Sequence, residues 1–332
     1  MKLKYILAQI ILGGVCLTAI SCAPEIKRTK PVDIFISQMA AKHRFSKSEL
    51  DKLFKSVEIK DDIIKRISSP AESLPWYKYR RIFLTESRIH EGVKFWQENA
   101  PSLAAVEQKY GVPAEIIVAI LGVETRYGQK TGSHRVIDAL STLAFAYPPR
   151  SKFFLGELEN YLLLCREENL NPLQPTGSYA GAMGLPQFMP SSFRTYAADF
   201  DNDRRRDIWH NNSDVIASIA NYLASHQWQR GQAVAIPVKA VGESYKAALK
   251  NNLKPNLTIP QLQSLQILLS KPLPLNTKVT LLAFKQEQGE ELWAALENFY
   301  VITRYNHSPL YALAVYQLSQ AISIRRWSSP YE

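Results

Sequence analysis

Cysteine is nearly missing from this sequence. Three occur in 332 residues: Cys16 falls inside an apolar N-terminal run, Cys22 follows it, and Cys165 alone remains in the body of the chain. One thiol can build neither an intramolecular disulfide nor a cysteine-ligated zinc cluster, so neither staples this fold. Cys165 sits in "YLLLC" and reads as a small core residue. The histidines are scattered without H-x-x-x-H spacing, which removes a catalytic zinc site of that kind. Walker and dinucleotide-binding glycine patterns, nucleic-acid modules, internal repeats and low-complexity tracts are also lacking. Negative charge is in short supply as well: 30 acidic against 40 basic residues leave a net charge of +10. Such a balance favours nucleic acid, anionic lipid or an acidic cell-wall polymer as partner.

The N-terminus chooses among these. Lys2 and Lys4 precede the apolar run Ile6 to Ile20, which is too short and too abruptly ended to span a membrane securely. Residues 1–21 therefore read as an export signal, and no nucleic-acid partner is expected. The run closes with "LTAISCAP", which resembles a bacterial lipoprotein box, although Ala19 stands where that pattern usually has Leu. Lipidation at Cys22 follows, with Ala23 in place of Asp pointing to the outer membrane. Ordinary cleavage after Ala19-Ile20-Ser21 is the alternative and would release a soluble periplasmic protein. The polar, proline-bounded stretch 22–31 suits a tether between lipid and folded body.

A hydrophobic content of 46% supplies ample core beyond that tether. Apolar residues at helical spacing predict helices over 32–54, 81–110, 153–168, 214–225, 290–303 and 310–323. "PAEIIVAILGVET" predicts another, with Pro113 in its first turn. Between Gln232 and Lys285 the texture changes: "AVAIPVKAV" and "KVTLLAF" are β-branched-rich and partly alternating. The expected fold is mainly α, of the α+β class. A helical domain covers 32–110 and is completed by C-terminal helices over 297–332; a core covers 111–230, and a small β-containing subdomain covers 231–296.

Two blocks carry chemistry. In "GVETRYG", Glu124 follows Ile117 by seven and Ile120 by four, so a helix places it on an otherwise apolar face. Desolvation there raises a carboxyl pKa, as a general acid near neutral pH requires. The bland alternative is a helix-end Glu in solvent or paired with Arg126. In "GSYAGAMGLPQFMPSSF", Gly177, Gly181 and Gly184 permit close backbone approaches, while Tyr179, Gln187, Phe188 and Met189 offer stacking faces and an amide that can grip sugars. Pro190-Ser191-Ser192 then starts a helix with a serine available as N-cap.

These blocks, with "SIANYL" and "FYVITRYNHS", resemble in order the signature of the membrane-bound lytic murein transglycosylase B family over roughly Phe95 to Ile322. The resemblance implies a lysozyme-like catalytic core and cleavage of the β-1,4 bond between N-acetylmuramic acid and N-acetylglucosamine without water, leaving a 1,6-anhydromuramoyl end. It puts the single catalytic glutamate at Glu124. Ser178 and Gln187 would hydrogen-bond substrate, Tyr222, Tyr305 and Asn306 would line the groove, and Tyr79 in "WYKYRRIF" would contribute. No cofactor is needed for this chemistry. Partners would be peptidoglycan strands, the membrane through the anchor, and proteins of cell-wall synthesis or division. Hydrolases of such bonds normally use two carboxylates, and the site motifs hold one. A hydrolytic muramidase and a catalytically inactive peptidoglycan-binding or scaffolding lipoprotein stay open as alternatives.

A third block, "DFDNDRRRDIWHNNSD", sets Asp199, Asp201 and Asp203 at alternate positions, followed by the Arg205 carbonyl and Asp214. Such oxygen ligands suit Ca²⁺, and the resembled family carries an EF-hand-like loop here. Arg204 departs from the Gly that the loop turn favours. Asp214 is the sixteenth residue counting Asp199 as the first, beyond a twelve-residue loop. The alternative is an acidic loop neutralised by Arg204, Arg205 and Arg206.

Overall fold

The computed structural model describes residues 30–68, 74–249 and 253–328. The expected signal and Cys22 lie outside them. Of the expected tether, Lys30 and Pro31 already belong to the first helix.

Six helices open the body: α1 (Lys30–His43), α2 (Lys47–Lys55), α3 (Asp61–Ile67), α4 (Trp76–Phe83), α5 (Glu86–Glu98) and α6 (Ala100–Tyr110). The single helix expected over 32–54 is broken because Arg44 turns left-handed at φ 58°, after which the Ser46 hydroxyl accepts from the Glu49 amide at 3.3 Å and starts α2. Within 81–110 the Thr85 hydroxyl likewise caps α5 by accepting from the Arg88 amide. Asn99 and Pro101 restart the chain as α6.

The middle of the chain forms α7 (Ala114–Thr125), β1 (His134–Arg135), α8 (Val136–Ala146), α9 (Ser151–Glu167), β2 (Thr176–Gly177), α10 (Pro190–Tyr196) and α11 (Asn212–Ser225). Pro113 is the extended N-cap of α7, one place earlier than expected. From Ala114 to Gly122 every α7 residue but Glu115 is buried, so this short helix is a core element on all sides. α8 went unanticipated: "VIDALSTLAFA" is buried almost all round and shows no one-sided stripe. The serines of α10 do not cap it either. Met189 holds that position with Pro190 in the first turn, and the Ser191 amide and hydroxyl both donate to the buried Glu157 of α9, at 2.9 and 2.7 Å.

The last third forms β3 (Ala235–Ala240), β4 (Leu257–Thr258), α12 (Ile259–Ser264), β5 (Ile267–Leu269), β6 (Lys278–Lys285), β7 (Glu290–Ala295), α13 (Glu297–Tyr305) and α14 (Pro309–Ser328). The strands make an antiparallel sheet of order β4-β6-β7-β3-β5. Alternation explains its texture: Leu281, Leu292 and Ala294 join a small core of the sheet's own, while Leu282, Phe284, Trp293 and Ala295 face the main helical core. Phe284 meets Trp76 of α4 at 5.7 Å between ring centroids, and Trp293 meets Tyr316 of α14 at 6.1 Å. The helix expected over 290–303 is half strand, because Glu290–Ala295 pairs on both edges with β3 and β6. Pairing and burial override a sequence of good helix formers. α14 closes the body by packing along α7, α5 and α13.

Candidate active site

Glu124 stands near the end of α7, where the chain reverses through three successive left-handed residues, Arg126, Tyr127 and Gly128. That reversal turns Arg126 away: its guanidinium holds Glu91 of α5 at 2.6 Å, so the bland pairing with Glu124 does not form. Tyr127 points back under the helix, donating to the Arg88 carbonyl at 2.9 Å. Its ring explains Gly122 of α7, where a Cβ would come within 2.5 Å of the phenol oxygen. The Thr125 hydroxyl donates to the Leu185 carbonyl at 3.0 Å and ties α7 to the glycine-rich block.

The Glu124 carboxyl is therefore held in apolar surroundings while the residue keeps some accessible surface. Desolvation pushes its pKa up to about 7, against the opposing pull of one hydrogen bond, from the Tyr311 hydroxyl of α14 to Oε1 at 2.7 Å. No carboxylate is among the causes of the shift. Tyr311 is itself buried, and its phenol is pushed far above the ordinary tyrosine range by burial first and then by Glu124. It stays a neutral donor at any working pH. Because Oε1 accepts from Tyr311, the acid proton of Glu124 belongs on Oε2.

The glycine-rich block folds back on itself beside this carboxyl. The Ser178 amide donates to the Ala182 carbonyl at 2.8 Å, while its hydroxyl oxygen accepts from the Ala180 and Ala182 amides at 3.3 and 3.0 Å. That leaves the hydroxyl proton to donate outward. Gly181 and Gly184 take left-handed φ of 82° and 64°, and a Cβ on Gly184 would meet the Ile208 carbonyl oxygen at 2.5 Å. Gln187 is left-handed too; its amide nitrogen donates to the Thr131 and Gly184 carbonyls at 3.1 and 2.9 Å, and its side-chain oxygen has no hydrogen-bond partner among the described residues. Tyr179 is half-buried against the main core.

A wall of aromatic rings runs from here to the acid. Phe188 meets Tyr222 at 5.8 Å and Tyr305 at 5.9 Å, Tyr222 meets Tyr305 at 4.9 Å, and Tyr305 stacks on Tyr311 at 6.5 Å with planes 10° apart. Tyr196 and His226 extend the wall beyond Tyr222 at 4.7 and 4.2 Å. The hydroxyls of Tyr222 and Tyr305 are committed to the Arg304 and Pro186 carbonyls at 2.5 and 2.6 Å, so these residues present faces rather than donors. Asn306 is exposed at the end of α13. Tyr79 packs between Trp76 and Phe83 on α4, near enough for its phenol to raise that of Tyr311. Tyr311, Tyr196 and His226 escaped the sequence reading. Tyr311 lies in "PLYALAVY", where nothing but its polar tip separates it from core.

The acidic loop is built as a separate site. One carboxylate oxygen from each of Asp199, Asp201 and Asp203 lies within 4.8 Å of the others, a hard-oxygen donor set that fits Ca²⁺. Arg204 adopts the left-handed φ of 71° that the turn demands. Asp214 falls outside this trio: it is fully buried, and its oxygens accept from the Phe200 and Asp207 amides at 2.7 and 2.9 Å. It braces the loop from beneath. Among the described residues the loop is not neutralised by its own arginines, since Arg206 pairs with Glu168 and neither Arg204 nor Arg205 forms an ion pair.

Over residues 28–320 the chain matches the family model of the transglycosylase SLT domain. The chain belongs to the transglycosylase SLT family. It is 40% identical over 302 residues to the membrane-bound lytic murein transglycosylase B of Escherichia coli, covering 88% of this chain and 82% of that one. Among solved structures it is similar to the soluble lytic transglycosylase SltB1 of Pseudomonas aeruginosa, at 47% identity and a TM-score of 0.86 over 90% of this chain and 99% of that one. It is likewise similar to the Escherichia coli lytic transglycosylase Slt35 in complex with calcium, at 39% identity and a TM-score of 0.85 over 91% and 95%. As a member of this SLT family the protein is an enzyme of the lytic transglycosylase class, and its mainly helical architecture with a small antiparallel sheet is the lysozyme-like one expected.

Proposed function

We propose that the protein cleaves the β-1,4 bond between N-acetylmuramic acid and N-acetylglucosamine in peptidoglycan and leaves 1,6-anhydromuramoyl ends, with Glu124 as acid and then base. The observation that carries this reading is a lone carboxyl, raised to about 7, with a tyrosine as its hydrogen-bond partner and no carboxylate among the causes of its shift. Protonated Oε2 gives its proton to the glycosidic oxygen as the bond to the anomeric carbon breaks. The carboxylate so formed takes the proton of the muramoyl C6 hydroxyl while that oxygen bonds to the anomeric carbon, and Glu124 ends protonated as it began. A retaining or inverting hydrolase would need a second carboxylate as nucleophile or base. An intramolecular hydroxyl replaces it, helped by an effective molarity of roughly 10⁵ M or more.

Ser178 donates to the sugar and Gln187 accepts from it. The faces of Tyr222, Tyr305 and Tyr179 line the groove, with Asn306 and Tyr79 at its margins. Muropeptides released from purified sacculi test the reaction by mass. Wild-type products should be lighter by one water than those of a muramidase, and Glu124→Gln should release none; ordinary reducing ends would overturn the reading.

Calcium would be held by Asp199, Asp201 and Asp203 with the Arg205 carbonyl, in a structural role, supplying charge neutralisation to the loop between α10 and α11. Saturating Ca²⁺ at about a hundred times its dissociation constant should stabilise the fold by about 2.7 kcal/mol, seen as a rise in Tm that chelator reverses. Asp199→Asn combined with Asp201→Asn should abolish the rise; an equal rise in that variant would place the ion elsewhere.

Relatives point to an envelope location, and no helix among the described residues is long and apolar enough to cross a membrane. An outer-membrane anchor at Cys22 supplies the attachment. Cys22→Ser should move the protein from the membrane to the soluble periplasmic fraction, and retention in the membrane would remove the anchor from the account.

A further inference from the structure

A further cleft, of about 600 Å³, is lined by the end of α9, residues 174–176 leading into β2, and the arginine run Arg204–Arg206. Its acids are already engaged. Glu168 holds Arg206, Glu167 holds Arg194 at 2.7 Å, and one Asp207 oxygen accepts from the Trp209 and His210 amides while the other lies 3.4 Å from the His210 ring. The calcium-site acids Asp199, Asp201 and Asp203 spend carboxylate oxygens on the backbone amides of Asp203, Arg204 and Arg205. Arg204 and Arg205 are exposed, line the cleft, and make no ion pair among the described residues. Two exposed guanidiniums without an ion pair among the described residues, set in a concavity, form a receptor for carboxylate, which the planar guanidinium fork binds through paired N–H donors.

The cleft is joined to the active site by backbone. Thr176 lines it two residues before Ser178, and the Leu185 amide donates to the Ile208 carbonyl at 2.9 Å, fastening the arginine loop to the block that faces Glu124. We infer that this cleft binds the carboxylates of the stem peptide carried by the muramoyl residue being cleaved, so that the enzyme favours peptide-bearing over stripped strands. An extended chain of four residues reaches about 13 Å, and the cleft begins at Thr176, two residues from Ser178. The inference rests on the activity proposed above and adds a specificity to it.

Kinetics on two substrates test it: glycan strands with intact stem peptides, and the same strands stripped by an amidase, both in excess Ca²⁺. Arg204→Gly relaxes a left-handed residue and should fold. Its KM for peptide-bearing strands should rise about fivefold with kcat unchanged, its kinetics on stripped strands should equal those of wild type, and Arg204→Lys, which keeps the charge without the fork, should recover only part of the loss. Unchanged KM on both substrates would overturn the inference. So would an equal rise on both, which would identify a group common to the two substrates, the glycan itself, as the ligand. Calorimetry with the free tetrapeptide supplies a readout independent of turnover, with binding about fivefold weaker in Arg204→Gly and absence of wild-type binding counting against the cleft. Failure of wild type to form anhydro ends on either substrate would instead overturn the proposed reaction.

Discussion

Glu124→Gln is expected to lower kcat on peptidoglycan by about 10⁴-fold while changing glycan affinity by no more than about twofold. Glutamine keeps the shape and can still accept from the Tyr311 hydroxyl, but it has no proton to give at neutral pH and cannot take one from the C6 hydroxyl. Both halves of the reaction fail together. Stability should move the other way. The carboxyl of Glu124 titrates near 7 in the fold against 4.5 as its ordinary value. The folded state therefore binds the extra proton between those limits and loses stability as pH rises through them. Above pH 7 the full penalty applies to wild type and is absent from the glutamine variant, whose Tm should be equal or higher there and unchanged below pH 4.5. A variant with substantial residual lysis would transfer the acid role to another residue.

Tyr311→Phe should be the next most damaging change, lowering kcat by about 10²-fold with little effect on KM. The phenol oxygen fixes Oε1 and so aims the proton on Oε2; phenylalanine keeps the buried ring against Tyr305 but releases the carboxyl to rotate. Its hydrogen bond also opposes the desolvation that raises the Glu124 pKa. Removing it must send that pKa higher, so the alkaline fall in kcat/KM, which in wild type begins near pH 7, should move to higher pH. A purely structural role would lower activity without moving that limb. The pH profile therefore separates aiming from packing.

How much of this could be read beforehand depended on whether one segment carried its own signal. Glu124 was legible because a lone acid interrupts the apolar face of a short helix, and the glycine-rich block because a left-handed backbone needs residues such as Gly181 and Gly184. Strands β3 and β6 announced themselves by β-branched alternation. β7 did not, since "EELWAA" has a helix-forming composition and only pairing on both edges makes it strand. α8 was invisible for the opposite reason: burial on all sides leaves no periodic contrast to detect. Tyr311 is separated from its carboxyl by 187 positions, and only the packing of α14 along α7 brings them together. Asp214 shows the same limit, for its spacing suggested a ligand while burial made it a brace.

Running the reaction in oxygen-labelled water tests the central claim most directly, by asking where the oxygen on the new muramoyl end comes from. Closure by the C6 hydroxyl, with Glu124 as the only carboxyl engaged, predicts products that carry no label at any stage of the digest. Label at the anomeric position of freshly released products would mean that water attacks, that a second carboxylate takes part, and that the single-acid account is wrong.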